Sequence, residues 1–328
     1  FEDKSGRKLA LRPEMTPTLA RMIAARRGSL TFPLKWFTMA QCFRYERMTR
    51  GRKREHYQWN MDIVGEQDVA AEVEILAAAA AALRAMGMPD SSYRIHVNNR
   101  ALLAELLGKT GIPPEHHPAV FLALDKRGKI SDQEIGELLK AEGLDSDTIR
   151  RTFALLEVQT LDQAEALAGA DSPAVRRLRD LFALARLYGI GDRIVFDMSV
   201  IRGLAYYTDI VFEAFDTERR FRAIFGGGRY DNLLTTVGGD PTPAVGLGFG
   251  DVVITEILRE TLGETAAAAR SGVSVGYMFA EQREAATLLA NRLRNGGEKV
   301  DLMLAPLKPK QFFARASAGT SADAVFIG

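Results

Sequence analysis

A chain of 328 residues, 47% hydrophobic and 26% charged, has ordinary globular composition and length for two or three domains with a sizeable core. Its formal net charge of +1 gives no whole-molecule attraction for nucleic acid, so any such contact must come from a local basic cluster. The single cysteine, Cys42, excludes an internal disulfide framework, and no run of about 18 apolar residues exists to span a bilayer. Cytoplasm is therefore the expected compartment. The opening Phe1-Glu2-Asp3-Lys4 is neither a signal peptide nor a start methionine, so the chain is expected to open inside a domain.

In chain order, Thr16-Pro17 reads as an N-cap followed by a proline at N1, with Leu19, Met22 and Ile23 as the apolar stripe of a short helix. Residues 30–65 read as two antiparallel strands around a basic loop, because alternation is clear from Trp36 to Glu46. A longer helix follows, capped by Asp68, lined by Val73, Leu76, Ala80 and Leu83, and ended by Gly87 and Pro89. From 102 to 186 the chain is rich in leucine, alanine and charge at helical spacing, a helical insertion. Strand signals return at 194–196, 207–215 and 221–225, so the insertion interrupts one antiparallel sheet domain. The stretch 263–272, with four consecutive alanines, reads as a linker. Beyond it, strand, helix and strand patterns over 273–304 form a βαβ unit, and a last strand-like segment ends the chain in a small α/β piece expected to be incomplete.

Strand periodicity puts Arg44 and Glu46 on one face with Ala40 and Cys42, and likewise gathers Gln58, Asn60 and Asp62 on one face of the return strand. The connection from Arg47 to Glu55 carries five basic residues in nine (Arg47, Arg50, Arg52, Lys53 and Arg54), and phosphate is its natural partner. By itself such a loop could be a solvated hairpin tip; polar faces on both strands favour a site. Tyr206 and Tyr207 taken alone read as packed strand aromatics, and Gly226-Gly227-Gly228 alone as a bulge or tight turn. His56, His96, His116 and His117 show no metal-ligand spacing, so no protein metal site is assigned. The segment Val245 to Asp251 fails the dinucleotide fingerprint, and no Walker A pattern is present.

Phe43-Arg44-Tyr45-Glu46, the basic loop and the return strand resemble motif 2 of class II aminoacyl-tRNA synthetases. Leu11-Arg12-Pro13-Glu14-Met15-Thr16-Pro17 resembles the segment that binds the amino acid in the histidine and related members. Arg202-Gly203-Leu204-Ala205-Tyr206-Tyr207-Thr208 and Phe225-Gly226-Gly227-Gly228-Arg229-Tyr230-Asp231 resemble the two histidine-specific signatures, narrowing the resemblance to the histidyl-tRNA synthetase family. It covers about 10–262, and the final α/β piece resembles that group's anticodon-binding domain.

The resemblance implies an α+β fold: a class II synthetase-like antiparallel sheet with flanking helices and a helical insertion, plus a C-terminal α/β domain. The expected division is 1–101 and 187–262 for the catalytic domain, without motif 1, then 102–186 for the insertion, 263–272 for the linker and 273–328 for the anticodon-binding-like domain. It further implies that Arg44 holds the ATP α-phosphate, Glu46 accepts from the adenine amino group and Arg52 reaches the γ-phosphate. Arg202 would stabilise charge on the α-phosphate and border the histidine site. Glu14, Thr16, Gln58 and Asp62 would hold the substrate ammonium and carboxylate; Tyr206, Tyr207, Gly227 and Gly228 would recognise the imidazole. Arg47, Arg50 and Arg54 become candidates for the tRNA acceptor end.

The implied activity is activation of histidine with ATP and its Mg²⁺, without an organic cofactor, and transfer to tRNA(His) by a homodimer. Two positions depart from the family pattern. Val253 stands where motif 3 places an arginine that stacks on adenine, with Arg259 six residues on, and Ala205 stands where the first signature carries aspartate. The rival readings are the non-catalytic, histidine-sensing regulatory subunit of ATP phosphoribosyltransferase, a class II synthetase for another amino acid, and a bare nucleic-acid-binding module. Retention of Arg44, Glu46, Arg52 and Arg202, with the C-terminal piece, favours the ligase.

Overall fold

The computed structural model describes residues 1–202, 204, 206–262 and 271–328, and divides into two compact units, 1–257 and 258–328. In the first unit, α1 (Thr16–Arg26) precedes the hairpin of β1 (Leu34–Phe43) and β2 (Glu55–Val64), and α2 (Ala70–Ala85) leads to β3 (Tyr93–Asn99). Six helices follow: α3 (Arg100–Lys109), α4 (His117–Leu124), α5 (Asp132–Ala141), α6 (Ser146–Leu156), α7 (Leu161–Ala168) and α8 (Pro173–Leu187). The chain then returns through β4 (Ile194–Phe196), β5 (Ile210–Asp216), β6 (Phe225–Arg229), the short α9 (Leu233–Thr236) and β7 (Ala244–Gly250) into α10 (Asp251–Leu262). Among the described residues no helix is long and apolar enough to cross a membrane.

The sheet has seven strands in the order β1-β2-β7-β6-β5-β3-β4, antiparallel except for the β3–β4 pair. This is the α+β architecture the sequence implied. Alternating strand directions bring the β1–β2 loop, the β5–β6 connection and the start of α10 to one end of the sheet. Beneath the opposite end, Ala20 and Ile23 of α1 pack with Val64, Val211, Tyr230, Leu234 and Ala244. The helical stretch expected at 102–186 lies within the first unit. Five of these six helices start on side-chain caps, α4 excepted, among them Asn99 for α3 and the reciprocal capping boxes of Ser131 with Glu134 for α5 and Thr160 with Gln163 for α7.

Several local expectations need correction. Thr16 is the first residue of α1 rather than its cap, and the buried stripe is Thr16, Ala20 and Ile23, which leaves Met22 53% exposed. Of the set the sequence suggested, Ile23 belongs to the buried stripe and Leu19 packs partly buried against the same core, so Met22 alone turns away. Residues 221–224 do not form a strand, because Asp216 accepts hydrogen bonds from the Arg220 and Phe221 amides at 3.0 Å each, taking donors a ladder would need. The three glycines at 226–228 are neither bulge nor turn; they sit in β6, paired on both sides.

The second unit holds β8 (Val273–Tyr277), α11 (Arg283–Asn295), β9 (Val300–Leu302), α12 (Pro309–Ala318) and β10 (Asp323–Ile327) in a parallel three-stranded sheet, order β10-β8-β9. Its sheet is covered by two apolar clusters, one around Ala286 of α11 and one around Phe312 of α12. Of the expected linker, 263–270 lies outside the described residues, as do Gly203 and Ala205 of the first signature.

Candidate active site

The site is built on a floor of glycine. Cross-strand register aligns Asn60, Gly248, Gly226 and Glu213 in one row and Asp62, Gly246, Gly228 and Val211 in the next. Residues directly opposite share a face, so polar side chains on β2 and Glu213 on β5 flank a strip without side chains. Other groups occupy the room this leaves. A Cβ on Gly248 would overlap the Gln58 amide, one on Gly246 the Asp62 carboxylate, and one on Gly226 the Arg202 guanidinium. Gly227 and Gly228, expected at the histidine pocket, do not line it. Gly227 points to the other face, against Phe212 and the Gly246 carbonyl, while Gly228 backs Tyr207. Of the three consecutive glycines, Gly226 borders the pocket, together with Gly246 and Gly248 of β7.

Two cavities meet over this floor. A cleft of about 960 Å³ is bordered by Arg44, Glu46, Arg52 and Lys53 of the β1–β2 hairpin, by Arg219 and Arg222 of the β5–β6 connection, and by Val252 and Val253 of α10. A small pocket of about 40 Å³ adjoins it, lined by Glu14, Thr16, Asn60, Tyr206, Tyr207 and Tyr230. Arg44, Gln58, Arg202, Leu204, Gly226 and Gly248 line both. Asp125, Arg127 and Lys129, in the turn between α4 and α5, add a further wall that sequence reasoning missed, although the run Asp125 to Lys129 was visibly charged.

Arg202 sits at the junction. Its backbone is left-handed, φ 57°, a conformation costing a non-glycine residue about 1–3 kcal/mol and characteristic of functional positions. Burial works against its charge, but Tyr207 and Glu213 beside it hold the guanidinium protonated, and Nη1 pairs with Glu213 Oε1. Glu213 was not among the expected site residues; only its position in register opposite Gly226 reveals it. Arg44 Nε donates to the Pro13 carbonyl at 3.0 Å, tying motif 2 to the segment that carries Glu14 and Thr16. Glu46 and Arg52 are paired with each other. His56, also on the cleft, has its pKa lowered by burial and by Arg44, which favours the neutral imidazole.

In the small pocket the Tyr206 hydroxyl donates to Glu14, and the Tyr230 hydroxyl donates to Asp62 at 2.5 Å. Asp62 lies beneath the pocket rather than on its wall; Asn60, two residues earlier on the same face, lines it with a buried Oδ1 that has no hydrogen-bond partner among the described residues. That orphan acceptor marks Asn60 as a ligand-facing group that the sequence had placed on the right face without a role. Arg50, expected at the tRNA end, instead pairs with Glu256 at 3.5 Å and lies over the Phe221 ring at 4.9 Å. Arg47 is exposed, and Arg54 is exposed over the Tyr45 ring at 4.5 Å.

Burial pushes the Asp62 carboxyl up to about 7, with Tyr230 opposing and Glu14 adding to the rise. A carboxyl with its folded value above its unfolded 3.8 binds more protons in the folded state, so stability falls as pH rises from about 4 through 7. Asp62→Asn removes this dependence. Its melting temperature relative to the parent therefore rises between pH 5 and pH 8, by the equivalent of about 3 kcal/mol. Parallel melting profiles for the two proteins would refute the assignment of a buried, raised carboxyl.

The model for the histidyl-tRNA synthetase family matches residues 1–250. The chain is 44% identical over 330 residues to a chloroplastic/mitochondrial histidine–tRNA ligase of Arabidopsis thaliana, covering 100% of this chain and 68% of the relative. It is 37% identical over 336 residues to a histidine–tRNA ligase of Opitutus terrae, covering 99% and 76%. Among solved structures, a protein of Bacillus halodurans described as an ATP phosphoribosyltransferase regulatory subunit/histidyl-tRNA synthetase aligns with a TM-score of 0.80 at 24% identity, covering 100% of this chain and 82% of that one. A histidyl-tRNA synthetase from a Nostoc species aligns at 0.78 and 22%, covering 94% and 74%. At those identities the two structures speak to the fold alone.

Proposed function

The chain belongs to the histidyl-tRNA synthetase family, and from that premise we propose that the paired cavities carry out adenylation of histidine and its transfer to tRNA. The relatives that match over the whole chain are ligases, which favours a histidine–tRNA ligase over the regulatory-subunit alternative. One observation carries the site assignment: Arg44 and Arg202 line both cavities. Histidine in the small polar pocket and ATP, with its Mg²⁺, in the cationic cleft would bring carboxylate and α-phosphate together between those two guanidiniums.

The chemistry needs no protein nucleophile. A carboxylate oxygen of histidine attacks the α-phosphorus, the bond to the bridging oxygen breaks, and pyrophosphate leaves with the electron pair. The tRNA 3′-hydroxyl then attacks the adenylate carbonyl, forming the ester and releasing AMP. Both steps depend on placing donors where negative charge grows, and arginine forks do this without reorganising. In this scheme Arg44 and Arg202 neutralise the α-phosphate, and Glu46 and Arg52 exchange their mutual pairing for adenine and the γ-phosphate. Glu14, Thr16, Gln58, Asn60 and Asp62 would surround the amino-acid head group, with Tyr206 and Tyr207 beside the imidazole.

A pocket that hydrogen-bonds its ligand rejects analogues that leave those groups unpaired, by factors of about 10⁴ or more. Arg47 and Arg54, exposed beside the cleft, are available to the tRNA acceptor end; Arg50 would first have to leave Glu256. The homodimer is proposed on the edge strand β1, where Phe37 and Met39 are each 74% exposed on the face away from the site. The cytoplasm is the proposed compartment. Histidine-dependent ATP–pyrophosphate exchange tests the reading.

A further inference from the structure

Eight cationic side chains line the large cleft against three carboxylates. Five of the eight are committed to carboxylates: Arg52 to Glu46, Arg127 to Glu157, Lys129 to Asp125, Arg202 to Glu213 and Arg219 to Asp197. Among the described residues, Arg44, Lys53 and Arg222 have no carboxylate partner. Arg44 and Lys53 come from the β1–β2 hairpin, and Arg222 comes from the β5–β6 connection across the mouth. We propose that Arg222 is a nucleotide-binding residue, its guanidinium contacting the β- and γ-phosphates of ATP; this rests on the assignment of the cleft to ATP.

Topology places Arg222 for this role. Phe225, the first residue of β6, pairs with Phe249 near the end of β7, so the connection that enters β6 and the chain that leaves β7 for α10 lie at the same end of neighbouring strands; Arg222 on the first and Val252 on the second both line the cleft. Val253, the next residue, occupies the position where the family pattern has an arginine. It is 8% exposed, and the turn at Gly51 covers it, a Cβ built there falling 3.6 Å from Val253 Cγ2. Helix α10 therefore presents an apolar surface at this point, and the cation arrives from the neighbouring strand connection.

That connection is held firmly. Asp216 binds the amides of Arg220 and Phe221, Arg219 pairs with Asp197 at 3.0 Å, and the Phe221 ring lies beneath Arg50. A guanidinium on a fixed connection, without an internal partner, is pre-organised for a phosphate fork at low entropic cost.

The test compares Arg222→Ala, Arg222→Lys and Arg44→Ala with the parent in ATP–pyrophosphate exchange, with AMP and ATP affinities from equilibrium titration. Because Arg222 is exposed, its variants should melt with the parent. For Arg222→Ala the ATP KM rises about tenfold or more, the histidine KM stays within about twofold, and AMP affinity is unchanged, while Arg222→Lys recovers part of the loss. An unchanged ATP KM in Arg222→Ala, with exchange lost in Arg44→Ala, overturns the inference and leaves the ATP cleft standing. An equal loss of AMP and ATP affinity overturns the β,γ-phosphate contact. Undiminished exchange in Arg44→Ala as well removes the cleft assignment, and this inference with it.

Discussion

Arg202→Ala abolishes histidine-dependent ATP–pyrophosphate exchange, with kcat falling about a thousandfold or more. The guanidinium lies at the junction of the two cavities, where the pentavalent α-phosphate would accumulate charge, and a pre-positioned cation there acts mainly in the transition state. The loss therefore appears in kcat more than in either KM. Three features mark the position as functional rather than structural. Its backbone occupies a left-handed conformation. A glycine at 226 is required to make room for the guanidinium. Glu213 supports it from the adjacent strand. Arg202→Lys preserves the charge opposite Glu213 and should restore stability without restoring the rate, since a point charge does not reproduce the planar fork. A variant that retains exchange within about tenfold of the parent would exclude Arg202 from the reaction.

The second large effect is on folding. Arg229, the arginine of the second histidine signature, is fully buried and faces away from both cavities. Its Nε and Nη2 grip the Glu72 carboxylate at 2.6 and 2.7 Å, and Nη1 donates to the Glu66 carbonyl at 2.9 Å. Arg177 joins the same carboxylate and bridges to Asp209, so the cluster ties β6 to α2 and α8. Removing Arg229 takes away the bidentate partner of a fully buried carboxylate and leaves it only the 3.2 Å contact with Arg177, so Arg229→Met should destabilise the first unit by about 3 kcal/mol, about 6 °C or more in Tm. The double substitution Arg229→Met with Glu72→Met removes both charges and should cost much less than the sum of the two single changes. Additive losses would show that packing, and not the stranded charge, sets the cost.

Much of the site was legible from local pattern. Period-2 alternation placed Gln58, Asn60 and Asp62 on one face, and they do share it. The basic hairpin and the two signatures identified the family through residues that side-chain chemistry constrains. What was not legible depends on register between distant strands. Which of Gly226, Gly227 and Gly228 faces the pocket is decided by pairing of β6 with β5 and β7, and the answer is the first, with the second turned away. Glu213 and Asn60 acquire roles only once those rows are aligned. The wall from Asp125 to Lys129, in the turn between α4 and α5, is separated from the motifs by tens of residues, and no local periodicity points it at the cleft. Composition suggested a strand at 221–225, where a single carboxylate, Asp216, redirects the backbone and presents Arg222 to the cleft.

The most direct test of the central claim is ATP–pyrophosphate exchange by this protein, measured with histidine and with each of the other nineteen amino acids in turn. The account predicts exchange with histidine alone, at least about 10⁴ above the rest. Histidine binding without exchange would contradict it and restore the histidine-sensing regulatory reading.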